Sequence, residues 1–221
     1  MLESEDDYGY YRSVFTDILR ELNDAKFVEE AMARTIEGLT GDVIEATGEM
    51  DKAKLPPKGS FDYVPINVPG LLRDLRQLDA ALAEDPDYAC HGTRYRPVRF
   101  LEVGCGHGRN LALIRHAGVI DYADLTGFDI SEAMIAAGRK GFGLTEEISV
   151  ADAMTFDYSP YDVIYSYRPF IDDTLQRRYE AHVEKSMKVS AYLLAPLLME
   201  AKPSRRMLKV GTDGNLWKKI A

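Results

Sequence analysis

Apolar residues in the first hundred positions recur three and four apart. Val14, Ile18 and Leu22 fall on one helical face with Phe15 and Leu19 beside them, and Phe27, Val28, Ala31, Met32 and Ile36 continue the pattern. This spacing predicts helix, with a break near Gly41. Residues 50–60 (MDKAKLPPKGS) are polar and carry a Pro-Pro pair, so they predict a loop. Asn67 then stands as an N-cap with Pro69 in the first turn. Leu71, Leu72, Leu75, Leu78 and Leu82 form an apolar stripe, and Pro86 stops the helix.

From residue 98 the rhythm changes. Short runs rich in β-branched and aromatic residues alternate with helical patterns. The runs are Val98–Val103, Leu125–Asp129, Ile148–Val150, Tyr161–Tyr167 and Val189–Ala195. Helical patterns cover Asn110–Ala117, Glu132–Lys140 and Asp172–Met187. Strand, helix and strand in this order predict βαβ units and a parallel sheet. The tail, Met207–Val210 and Leu216–Ile220 around Asp213-Gly214-Asn215, predicts an antiparallel hairpin at the sheet edge. The expected architecture is therefore α/β: a helical extension over residues 1–97, then a Rossmann-like, mostly parallel core over 98–221.

Composition narrows the function classes. The chain has 221 residues, 46% hydrophobic and 29% charged, which suits one medium core with a small appendage. No apolar run reaches the length of a membrane span, and the acidic start MLESEDDYGYYR lacks the pattern of a signal peptide. The expected location is the cytoplasm. A net charge of −9 makes nucleic acid a poor partner. The two cysteines, Cys90 and Cys105, form no metal-ligand spacing, so neither a metal nor a disulfide framework is expected.

The chemistry concentrates in Phe100–Asn110 (FLEVGCGHGRN). An apolar strand runs into three alternating glycines, and a helix follows at once. Glycine lets the backbone approach a ligand without a Cβ in the way. The helix N-terminus adds unpaired N–H groups and partial positive charge. The ligand these features suit is a small anion or a nucleoside. A dinucleotide turn needs G-x-G-x-x-G; here Arg109 stands where its third glycine would be. A phosphate loop is excluded too, since no G-K-[ST] follows.

The pattern acidic-x-G-x-G-x-G at Glu102, Gly104, Gly106 and Gly108 resembles motif I of the class I S-adenosylmethionine-dependent methyltransferases. The resemblance implies S-adenosylmethionine as cofactor, with contacts from Glu102, Gly104, Cys105, Gly106, Gly108 and Asn110. Asp129, ending the next strand about 20 residues on, takes the family's ribose-binding place, with Ile130 beside it. Asp152 and Ala153, after the third strand, take the place of the adenine contacts. Phe128, Ile130 and Met154 are candidates to flank the ring. The fourth strand leads into Tyr167-Arg168-Pro169-Phe170, where base methyltransferases carry Asn/Asp-Pro-Pro-Tyr/Phe; only Pro169 and Phe170 match. Tyr165, Tyr167 and Arg168 are therefore the weak catalytic candidates, and no general base is named. His107 is expected to contact cofactor.

The resemblance is specific over residues 98–170. The glycine turn expected before the fifth strand is replaced by Met187-Lys188-Val189-Ser190. Residues 1–97 carry no recognised motif; they are expected to cover the cofactor or bind substrate, with Tyr8, Tyr10 and Tyr11 as an unusual cluster. The leading expectation is a methyltransferase for a small molecule or a protein side chain. The alternatives are a binding module that has lost catalysis, an aminopropyltransferase-like enzyme, and a nicotinamide-dependent oxidoreductase, which Arg109 disfavours.

Overall fold

The computed structural model describes residues 5–50, 58–60, 64–196, 199–201, 204–211 and 215–221, with side chains left out for 5–13 and 15. Two long helices come first: α1 (Glu5–Glu45) and α2 (Val68–Glu84). The core follows as β1 (Val98–Val103), α3 (Arg109–Ala117), β2 (Tyr122–Asp129), α4 (Glu132–Phe142), β3 (Ile148–Val150), β4 (Val163–Ser166), α5 (Asp173–Ser186) and β5 (Tyr192–Leu194). It closes with β6 (Met207–Val210) and β7 (Leu216–Lys219).

The seven strands form one sheet in the order β3-β2-β1-β4-β5-β7-β6. The first five are parallel; β7 runs antiparallel to β5, and β6 antiparallel to β7. The order reverses between β1 and β4, which opens a crevice at their carboxyl ends. The edge hairpin is present as expected, although the Asp213-Gly214 turn lies outside the described residues.

Helices cover both faces. On one, Leu71, Leu75, Leu78 and Leu82 of α2 bury their stripe with Phe100, Leu111, Ile114 and Tyr165. Each such leucine contributes about 1.5–3 kcal/mol of transfer free energy. On the other, Leu101, Val103 and Ile164 pack with Tyr158, from the loop before β4, and with Tyr179 and Val183 of α5. The N-cap of α2 is Asn67, whose Oδ1 accepts the Gly70 N–H at 2.7 Å.

Two readings of the pattern need correction. Gly41 does not break α1, which continues to Glu45. A helical glycine costs about 1 kcal/mol, and the last turns offset this by burying Ile44 and packing Val43 and Ile44 near Gly141 of α4. The strands β4 and β5 are also shorter than their apolar runs. Tyr161, Tyr167 and Val189 lie outside β4 and β5, in the turns that enter and leave the sheet. Ser190, where a glycine was expected, holds φ at 69°.

Candidate functional site

Gly104, Gly106 and Gly108 follow β1 with φ of 67°, 56° and 74°, a left-handed conformation repeated at every second residue. Only glycine adopts it without strain. Gly108 is the N-cap of α3 and offers no side-chain cap, so the first N–H groups of the helix face the turn without a side-chain acceptor from that position. Pro169, after β4, lies across the turn; a Cβ on Gly104 would stand 3.7 Å from its Cβ.

The turn is braced from below. Asp129, at the end of β2, accepts the Gly106 N–H at 2.9 Å through Oδ2 and the Ser131 N–H at 2.8 Å through Oδ1. Burial raises its pKa, against three backbone N–H bonds that lower it. Cys105 is buried beneath, with its thiol pushed up by burial and then by Glu102 and Asp129. It packs where a Cβ on Gly127 would come within 2.9 Å.

Glu102 and Asn110 stand behind the turn, both buried. Asn110 Nδ2 donates to Glu102 Oε1 at 2.7 Å, while Glu102 Oε2 and Asn110 Oδ1 have no hydrogen-bond partner. Burial pushes the Glu102 carboxyl up to about 8, although Asn110 and the charge of Arg109 pull it down. Buried acceptors without partners are uncommon in folded proteins and mark places where a ligand can supply the missing donor.

The other expected residues are more dispersed. Ile130 is exposed beside Asp129. Asp152 is exposed, and its Oδ1 accepts the Met154 N–H at 2.8 Å. The Ala153 carbonyl accepts the Tyr158 hydroxyl at 2.8 Å, which fixes the loop after β3. Phe128 is buried and stacks on Phe156 at 4.2 Å between centroids. His107 is buried against Phe142, and burial followed by the charge of Arg109 lowers it to about 4, so it is neutral at pH 7. Tyr165 is fully buried next to Phe100, inside the core. Tyr167 is partly buried on the same face. Arg168 adopts φ of 40°, rare for a residue with a side chain, and donates to Glu200 at 2.6 Å and Asp173 at 2.5 Å.

Several residues of the site carry no motif. Gly138 of α4 lies so close that a Cβ there would meet the His107 carbonyl oxygen at 2.1 Å. A glycine next to Ala136 and Ala137 inside a helix was the available signal. Gln176 and Glu180, one turn apart on α5, hold the loops after β4 and β5: Gln176 accepts the Phe170 N–H, and Glu180 accepts those of Glu200 and Ala201. The residues before β1 also reach the site. The Gly59 carbonyl accepts the Ile171 N–H at 2.8 Å, and Arg109 donates to the Ile66 carbonyl at 3.0 Å.

Residues 100–188 match a family model described as a methyltransferase domain. Solved structures show a similar arrangement at low identity. DesVI of Streptomyces venezuelae is 14% identical, over 57% of this chain and 50% of its own, with a TM-score of 0.41. CalS10, an amino pentose methyltransferase from Micromonospora echinaspora, is 18% identical over 61% and 58%, with a TM-score of 0.40. An RNA methyltransferase from Salinibacter ruber, in complex with S-adenosyl-L-homocysteine, is 17% identical over 71% and 92%, with a TM-score of 0.46. This chain thus spans little more than half the length of the first two. No protein of curated function matches the sequence. Among the described residues no helix is long and apolar enough to cross a membrane, and no group of acidic, histidine or cysteine side chains could hold a metal.

Proposed function

We propose, from the match of residues 100–188 to a methyltransferase-domain model, that the chain is a class I, Rossmann-like enzyme that transfers a methyl group from S-adenosylmethionine to a small molecule or a protein side chain. The observation that carries this reading is the left-handed glycine turn at the carboxyl end of β1, backed by buried acceptors without partners. The residues present fit the cofactor. Glu102 Oε2 and Asn110 Oδ1 offer acceptors to an ammonium group, the start of α3 offers N–H donors, and Asp129 keeps lone pairs for ribose hydroxyls. The cofactor supplies an electrophilic methyl on a sulfonium, so the protein's part is to align the acceptor and exclude water.

The acceptor class is inferred from the end of β4. Tyr167 stands where an amide or carboxylate would orient a nucleobase amino group, and the Arg168 guanidinium is engaged by Glu200 and Asp173. With the net charge of −9, this favours a small molecule or protein side chain over nucleic acid.

Calorimetry with S-adenosylmethionine and S-adenosylhomocysteine tests the cofactor. Both should bind, and Asp129→Ala should weaken them about 10-fold through loss of ribose hydrogen bonds. Absence of binding by the folded wild type would sink the reading. Methyl transfer from labelled cofactor, followed separately with small-molecule, protein and RNA fractions of an extract, tests the acceptor. Labelling confined to RNA would reverse the acceptor assignment.

A further inference from the structure

Arg109 opens α3 directly after the glycine turn, and its side chain is 5% exposed. One nitrogen is hydrogen-bonded: Nη1 donates to the Ile66 carbonyl at 3.0 Å. Nε has no partner. Nη2 stands 3.9 Å from Glu37 Oε1, an ion-pair distance but too long for a hydrogen bond. Nε and Nη2 together form one edge of the guanidinium, the edge that takes a carboxylate through two parallel bonds.

Glu37 fills that edge poorly. It comes from α1, its side chain is 38% exposed, and its Oε1 already accepts the Val68 N–H at 3.3 Å. A buried guanidinium with a free bidentate edge is costly unless something else uses it. Its charge also reaches both sides of the turn, since it lowers the pKa of Glu102 and of His107. The buried shell behind the glycines therefore offers two unused acceptors, Glu102 Oε2 and Asn110 Oδ1, and a nearby unused fork of donors. The group that satisfies both is one carrying an ammonium and a carboxylate on the same carbon.

We infer that Arg109 binds the α-carboxylate of the cofactor's amino-acid end, in competition with Glu37 of α1. This rests on the cofactor reading above. It makes Arg109 a binding residue and Glu37 a brake on binding. When a carboxylate takes the fork, Glu37 keeps its bond to Val68 and gives up the arginine, so ligand binding is felt at the junction of α1 and α2.

The test compares S-adenosylhomocysteine with its decarboxylated analogue by calorimetry, so no turnover is needed. Wild type should bind the analogue about 30-fold more weakly, the worth of a charge-assisted bidentate contact. Arg109→Met should weaken S-adenosylhomocysteine by a similar factor and leave the analogue within about 3-fold, so discrimination disappears. Glu37→Gln keeps the acceptor for Val68 and removes the competing charge; it should tighten S-adenosylhomocysteine about 3-fold and leave the analogue unchanged. A purely structural Arg109–Glu37 tie predicts no such gain. An Arg109→Met variant that still discriminates as wild type does would overturn the assignment. If that variant does not fold, Glu37→Gln decides, and unchanged or weaker binding of S-adenosylhomocysteine overturns it. Failure of wild type to bind either ligand is a separate result, which removes the cofactor reading and this inference with it.

Discussion

Asp162, at the amino edge of β4, and Glu102, near the carboxyl end of β1, are both buried carboxylates in one sheet. Asp162 accepts from Arg96 at 3.2 and 2.7 Å and from the Arg99 N–H at 2.8 Å, with Lys188 at 2.8 Å. Burial raises its pKa, but Arg96, Arg99 and Lys188 outweigh this and hold it low. Asp85, on the same edge, is treated alike by Lys218, Tyr192 and the Asp87 N–H. Glu102 has one side-chain bond and is held at about 8. One edge spends its buried charge on holding strands together. The other keeps a carboxylate under-satisfied, which is physically sensible only where something arrives to complete it.

That contrast can be broken in three ways. The largest effect should come from Asp162→Ala, which strips Arg96, Lys188 and the Arg99 N–H of their shared acceptor. Urea unfolding at pH 7 should show a loss of about 3 kcal/mol, with cofactor affinity unchanged in the folded fraction. Glu102→Gln should do the reverse. Stability should stay within about 1 kcal/mol of wild type, while S-adenosylhomocysteine binds about 10-fold more weakly. Variants that lose stability and affinity together at both positions would erase the distinction between the edges.

The smallest effect is a proton. Glu102, raised from its ordinary 4.5 to about 8, contributes stability that is full below pH 4.5 and lost as pH rises through 8. Asp162 runs the other way: its contribution is present above its ordinary 3.8 and lost as pH falls through its lowered folded value. An ammonium placed beside Glu102 favours the ionised form. Binding at pH 7 should therefore release up to about one proton, seen as a dependence of binding heat on buffer ionisation enthalpy. Glu102→Gln should abolish that dependence. A wild type with none would detach Glu102 from the ligand.

How legible each edge was in the sequence follows the same division. The glycine turn, Glu102 and Asp129 lie within thirty positions of one another and announce themselves by local spacing. β1 and β3 coincide with their apolar runs. Asp162 gave no sign of its importance, since Arg96 lies 66 residues before it and Lys188 comes from beyond α5. Only the pairing of β4 with β1 on one side and β5 on the other brings these groups together. Arg109 was legible as an argument against a dinucleotide, but its partner Ile66 is 43 residues upstream and outside any motif. Gly41 misled because local propensity suggested a stop where packing on α4 carries the helix through.

Gly138 has one more consequence. Its neighbour across the contact is the backbone oxygen of His107, and every amino acid carries that oxygen in the same place. No exchange at position 107 can make room for a side chain at 138. A smaller side chain at 148 could relieve the second contact, with Ile148 Cδ1 at 2.7 Å, but not the first, so between α4 and the glycine turn the demand falls on position 138 alone. Descent with variation should therefore keep this position a glycine in the middle of a helix, whatever side chain stands at 107.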